Sequence, residues 1–176
     1  LLQLAVYTFV FQVILKNPTP AYYLHLFVAL VPWIFFSSAL TTGSKAILGQ
    51  SAMVKKIYFP REVLPVSYAL SSFVNMLFSF IVIFAVCIFS PVELSAMPFL
   101  VLPAVMILQL FLVTGVTLIT SSLTVYLRDL EHIMGVVNMA WMYLSPVVYP
   151  ADYIPEKYRA LYMLNPMTPV VTTFRY

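Results

Sequence analysis

The densest group of reactive side chains is Arg128-Asp129-Leu130-Glu131-His132, where acids, a guanidinium and an imidazole stand together. A carboxylate beside a histidine could serve acid–base chemistry or hold a metal. Adjacent residues diverge on a helix, however, and no second His or Cys lies nearby in sequence to complete a ligand set. The stretch reads better as a helix start, with Asp129 at the cap and Arg128 within reach of Glu131 three residues on. Gly43-Ser44-Lys45 is too short for a phosphate-binding loop, and none of the 4 glycines belongs to a GxxxxGK[ST] pattern. Nucleophile elbows and zinc spacings are also missing, and the single Cys87 excludes an internal disulfide. The chain is therefore not expected to be an enzyme, to hold a metal, or to hydrolyse ATP by the usual route.

What remains is chemistry of contact. Lys45, Lys55, Lys56 and Arg61 are four of the 9 cationic side chains and crowd one short stretch, residues 46–62 and its flank. Within it Ile47, Val54, Ile57 and Tyr58 share one face at helical spacing, and Phe59-Pro60-Arg61-Glu62 turns the chain back. Such a segment either anchors on anionic headgroups or docks into a groove on a soluble partner.

A second kind of contact is aromatic. Asn138, Trp141, Met142, Ser145 and Tyr149 recur at spacings of three and four, as do Gln3, Tyr7 and Phe11. Aromatic faces can stack on sugar rings, so these stripes could line a path for a glycan. The alternative is ordinary packing with an interfacial aromatic belt. The sets Ser67, Ser71, Asn75, Ser79 and Thr114, Thr117, Ser121, Thr124 read as packing faces, because small hydroxylated residues let helices approach closely.

The elements that must position these groups are membrane spans. The chain is 62% hydrophobic and 9% charged, with a mean hydropathy of +0.98. Roughly 30 residues between Glu62 and Glu93, and a similar number between Glu93 and Arg128, carry no charge, where about 20 suffice to span. Spans are expected over residues 1–15 (the remnant of one), 21–42 with a kink at Pro32, 66–89, 98–125 and 133–148. Residues 151–170 carry Asn165-Pro166 and Pro169 and read as short re-entrant or interfacial helices. The start inside an apolar run and the end just after another suggest a fragment of a longer membrane domain. The net charge of +3 is a topology signal and does not point to nucleic acid. With Lys45, Lys55, Lys56, Arg61 and Arg128 inside, the cationic bias places the 46–62 segment in the cytoplasm.

Four stretches carry a family resemblance. The run from Val54 to Pro65 (VKKIYFPREVLP) resembles the loop after the second span of ABC-2 type transport permeases. It is most similar to those exporting O-antigen, teichoic acid and related polysaccharides. Tyr126 to His132 (YLRDLEH), Tyr143 to Pro150 (YLSPVVYP) and Leu164 to Pro169 (LNPMTP) follow in the same order. The resemblance implies a six-span, all-α membrane domain, here lacking its N-terminal cytoplasmic helix and its last span. Two copies would pair as a homodimer above two ABC ATPase subunits, which hold the ATP and Mg. It implies that Leu48, Met53, Val54, Lys55, Lys56, Ile57, Tyr58, Arg61 and Glu62, with Arg128, Asp129 and Glu131, face the ATPase. It turns the aromatic stripes into a substrate path of Tyr7, Phe11, Asn138, Trp141, Met142, Ser145 and Tyr149. Tyr153, Tyr158, Tyr162 and Asn165 would line an outer gate. The cargo would be a lipid-linked polysaccharide on undecaprenyl diphosphate, crossing the bacterial inner membrane. A permease for drugs or small lipids is the nearer rival. A membrane-embedded lipid-modifying transferase is the more distant one, because the acids sit on opposite sides of the membrane.

Overall fold

The computed structural model describes residues 22–56, 58, 60–89, 97–147 and 165–175. All regular structure among them is helical: α1 (Tyr22–Ser44), α2 (Ala46–Gly49), α3 (Ser51–Lys56), α4 (Val63–Phe89), α5 (Met97–Tyr126), α6 (Leu130–Tyr143) and α7 (Met167–Arg175). Three helices contain stretches long and apolar enough to cross a bilayer: Phe27–Ser44, Val63–Ala85 and Val101–Tyr126. At about 1.5 Å per residue, the 23, 27 and 30 residues of α1, α4 and α5 reach or exceed a ~30 Å hydrocarbon core.

The three spans are not equivalent. In α1, 61% of the spanning stretch is buried within the protein, against 22% for each of α4 and α5. α1 packs against α4, α5, α6 and α7, so it is the centre of the bundle. Its Ala29, Leu30, Phe35, Phe36, Ala39 and Leu40 are buried with Met76 and Phe80 of α4, Val113 of α5, Met134 of α6 and Val171 of α7. Ring contacts fix the neighbours: Phe35 meets Phe73 edge-on with centroids 5.7 Å apart, and Phe80 stacks on Phe174 at 5.3 Å. A helix surrounded by others must be apolar on every side, which its even hydrophobicity satisfies.

Polar groups inside this core are tied across helices. Pro32 interrupts the hydrogen-bond ladder of α1, and the Gln109 side chain of α5 donates from Nε2 to the Pro32 carbonyl at 2.8 Å. The expected packing face of α5 is present: Thr117, Ser121 and Thr124 are buried and Thr114 is half-buried. Gly43 lies so close to Thr117 that a Cβ at position 43 would collide with its Cγ2 methyl. Glycine is what lets α1 and α5 approach there.

Four expectations need correction. The second small-residue stripe does not pack within this chain: Ser67, Ser71 and Asn75 are exposed on α4. The Ser67 hydroxyl donates to Leu64 O at 2.8 Å and the Ser79 hydroxyl to Asn75 O at 2.9 Å, so these hydroxyls are satisfied by their own helix. The helical spacing read from Ile47 to Tyr58 is not carried by one continuous helix, because the chain breaks at Gln50, just after Gly49, a poor helix former. The fifth apolar run forms only the 14-residue α6, which ends at Tyr143 and passes into turns at 144–147. Pro146 lacks the N–H that a longer helix would need and disfavours helix at the residue before it. Finally, α4 begins at Val63 rather than 66, with Pro65 in its first turn, where a missing N–H does no harm. Residues 1–15 and the greater part of 151–170 lie outside the described residues.

Candidate functional site

Two clusters of the singled-out residues emerge, one at each end of α6. The first gathers both polar connectors at one end of the bundle. α1 ends at Ser44, and Lys45 projects from the junction with α2, 48% exposed. Its Nζ lies 2.6 Å from the Glu131 carboxylate in the first turn of α6. The hydrogen bond from Lys45 does most to hold the Glu131 carboxyl below its ordinary value; desolvation opposes it, and the charges of Lys45 and His132 add to the lowering. Arg128, which spacing alone puts in reach of Glu131, instead stays exposed in the turn before α6. Asp129 occupies the cap position, but its side chain makes no capping hydrogen bond and its backbone is already helical. The carboxylate nearest a lysine thus wins over the nearest in sequence.

The 46–62 segment is rooted and then bared. Ala46 is buried, Leu48 and Val54 are half-buried, and Lys56, Tyr58, Arg61 and Glu62 are exposed. Tyr58 is exposed at 106%, so its ring is not packed against the described residues. Met53 and Lys55 lie on α3, and Ile57 is outside the described residues. Beneath the segment is a groove of about 230 Å³, walled by Ile47, Arg61, Glu62, Leu118, Ser122 and Tyr126, which joins this segment to the end of α5. Nothing here supplies a nucleophile or a ligand set, and the described residues contain no group of three or more potential metal ligands. What the arrangement offers is a cationic, partly aromatic contact surface held on a rigid base.

At the other end of α6, Trp141 donates from Nε1 to Asn165 Oδ1 at 2.9 Å, and its ring meets Phe36 edge-on at 5.0 Å. Asn165 in turn donates from Nδ2 to Ser145 Oγ at 2.8 Å, while its Oδ1 also accepts from the Met167 N–H at 3.0 Å. One asparagine therefore links α6, the following turn and the start of α7. About one turn towards the other end, Asn138 donates to Ser37 Oγ of α1 at 2.6 Å.

The sequence profile of the ABC-2 type transporter family matches residues 1–176, the whole chain. The chain belongs to the ABC-2 type transporter family. Two similar proteins are both named O-antigen export system permease protein RfbA. The one from Myxococcus xanthus is 30% identical over 176 residues, covering 99% of this chain and 67% of the relative. One from Klebsiella pneumoniae is 29% identical over 170 residues, covering 97% and 66%. The chain thus spans about two thirds of the length of these relatives.

Within this ABC-2 chain, Glu131 meets Lys45, and Trp141 and Ser145 both meet Asn165. Asn138 and Met142 lie on the same helix, half-buried, with Met142 packed against the core. Tyr7, Phe11, Tyr149, Tyr153, Tyr158 and Tyr162 lie outside the described residues. Spacing missed Lys45 as the partner of Glu131, and it missed Ser37 and Gln109 as inter-helix ties. The signal for Gln109 was present, since a lone amide in a long uncharged run must find a partner.

Proposed function

We propose that this chain is the membrane-spanning permease of an ATP-driven exporter that carries a lipid-linked polysaccharide of the O-antigen class out of the bacterial cytoplasm. The observation that carries this reading is the bared 46–62 segment: a cationic, aromatic surface between two membrane spans, on a chain with no phosphate-binding loop of its own. Family membership supplies the transport class, and the names of the similar proteins supply the cargo class. In this reading two copies form the path, and an ATPase docks on each 46–62 segment with Arg128, Asp129 and Glu131 beside it. α6 walls the path. Its Asn138, Trp141 and Met142 line that wall with Ser145 in the following turn and Tyr149, Tyr7 and Phe11, and Tyr153, Tyr158, Tyr162 and Asn165 frame the outer exit. The glycan slides on aromatic faces that hold it weakly.

Docking is tested by replacing Ile57 and Tyr58 together with Asp in the full-length permease co-expressed with its ATPase. Two buried charges in an interface are strongly unfavourable, so co-purification of the ATPase should be lost and polysaccharide should stay inside the cell. A double variant that still binds the ATPase and exports normally would remove the segment from the mechanism.

A further inference from the structure

Lys45 and Glu131 do more than mark the docking side. Lys45 immediately precedes α2, the root of the 46–62 segment, and Glu131 stands in the first turn of α6. From that pair a seam continues along both helices. Going back from Lys45 by about two turns of α1 reaches Ser37, and going forward from Glu131 by about two turns of α6 reaches Asn138; these two are bonded at 2.6 Å. Phe36 and Trp141 meet edge-on beyond them. Glu131, Asn138 and Trp141 share one face of α6 at helical spacing; the last two find their partners on α1, and Glu131 finds Lys45 just past its end. The three contacts differ in kind: charge at the base, amide to hydroxyl in the middle, ring to ring beyond.

We propose that this seam is a strut, pinned at its base by the Lys45–Glu131 ion pair, that makes α6 follow any displacement of the 46–62 segment. The inference rests on the docking reading above and gives these two residues a positioning role that docking does not require. An exposed ion pair contributes little to fold stability, so severing it leaves the bundle intact. What severing removes is the rigid connection between a segment moved by a partner and a helix that walls the path. Coupling of this kind requires an element that both sites bias, and in this proposal the laced α1–α6 pair, moving as one body, is that element.

The test uses the full-length permease with its ATPase, carrying Lys45→Glu, Glu131→Lys or both. Each single variant should melt within about 2 °C of the parent, as small stability changes dictate. Lys45→Glu, which lies outside the docking surface proposed above, should also keep the ATPase bound, and both single variants should lower surface polysaccharide by about tenfold, the size of a modest coupling free energy. The double swap, which restores opposite charges, should recover export. Bridging Lys45→Cys and Glu131→Cys with a bifunctional thiol reagent, in a protein lacking Cys87, should likewise recover it. Single variants that export like the parent would overturn the strut. So would a swap and a bridge that both fail to rescue while the complex still assembles. Loss of ATPase binding in the Lys45→Glu variant would overturn it too, by placing that residue in the docking surface itself. A parent permease that binds no ATPase would sink the docking reading and the strut together, whereas the other failures leave docking standing.

Discussion

At the scale of single residues, the protein shows polar atoms held by a few long-range partners. Trp141 illustrates this, because its indole N–H ends on Asn165 while its ring packs on Phe36. Trp141→Phe keeps the ring and removes the donor, yet Asn165 retains its bonds to Ser145 and Met167. The expected loss is about 1 kcal/mol, read as a small drop in melting temperature of the purified permease, with α7 still docked. A drop no larger than that of a lipid-facing control would show the indole bond to be idle. Glu131 sets a pH expectation. Its carboxyl is held below the ordinary 4.5, so the pair with Lys45 stays intact above that value and is lost only as pH falls through the lowered one. Export should therefore not respond to this residue on going from neutral to mildly acid medium, and a Glu131→Gln variant should match the parent only in strong acid. A titration of export that tracked Glu131 near neutrality would contradict the geometry.

Elements carry the closest fit in the molecule. Gly43→Ala forces a methyl into the Thr117 side chain, and overpacking of this sort costs about 1–3 kcal/mol. Thr117→Ala removes that methyl together with a hydroxyl that has no hydrogen-bond partner among the described residues. The pair Gly43→Ala/Thr117→Ala should therefore regain most of the stability lost by Gly43→Ala alone, as a thermal shift assay in detergent would show. Independent, additive losses would mean that α1 and α5 are not in contact there. The same scale shows what the sequence can reveal. α1, α4 and α5 were legible because an uncharged run longer than the bilayer has one physical solution. The buried Thr117–Thr124 face was legible for the same reason as the Ser67–Asn75 stripe was misleading. A small hydroxylated residue is tolerated against a neighbouring helix, and equally on an outer face when it bonds its own backbone. The stop of α6 at Tyr143 was written in Pro146, but hydrophobicity running through to 148 concealed it. The partner of Glu131 was not legible, since Lys45 is distant in the chain and Arg128 is near. Only the folding of α1 beside α6 decides between them.

For the whole molecule, both connectors gather at one end, which the proposed function puts in the cytoplasm. A full-length permease with Cys87 replaced and Lys56→Cys introduced should react with a membrane-impermeant maleimide in inside-out vesicles and not in intact cells. The reverse pattern would invert the molecule and undo the docking proposal. The outer faces of α4 and α5, with Leu70, Phe78, Ile81, Leu108, Phe111 and Ile119 exposed, are as apolar as lipid and suit contact with it.

One helix touches all its long neighbours, and its rings and small residues are wedged between them. A bundle arranged around such an axle cannot open by splitting down the middle. In the reading proposed above, whatever rearrangement admits cargo must carry α6 together with residues 36 and 37, because Asn138 and Trp141 are tied to them, and roll the other outer helices over that pair.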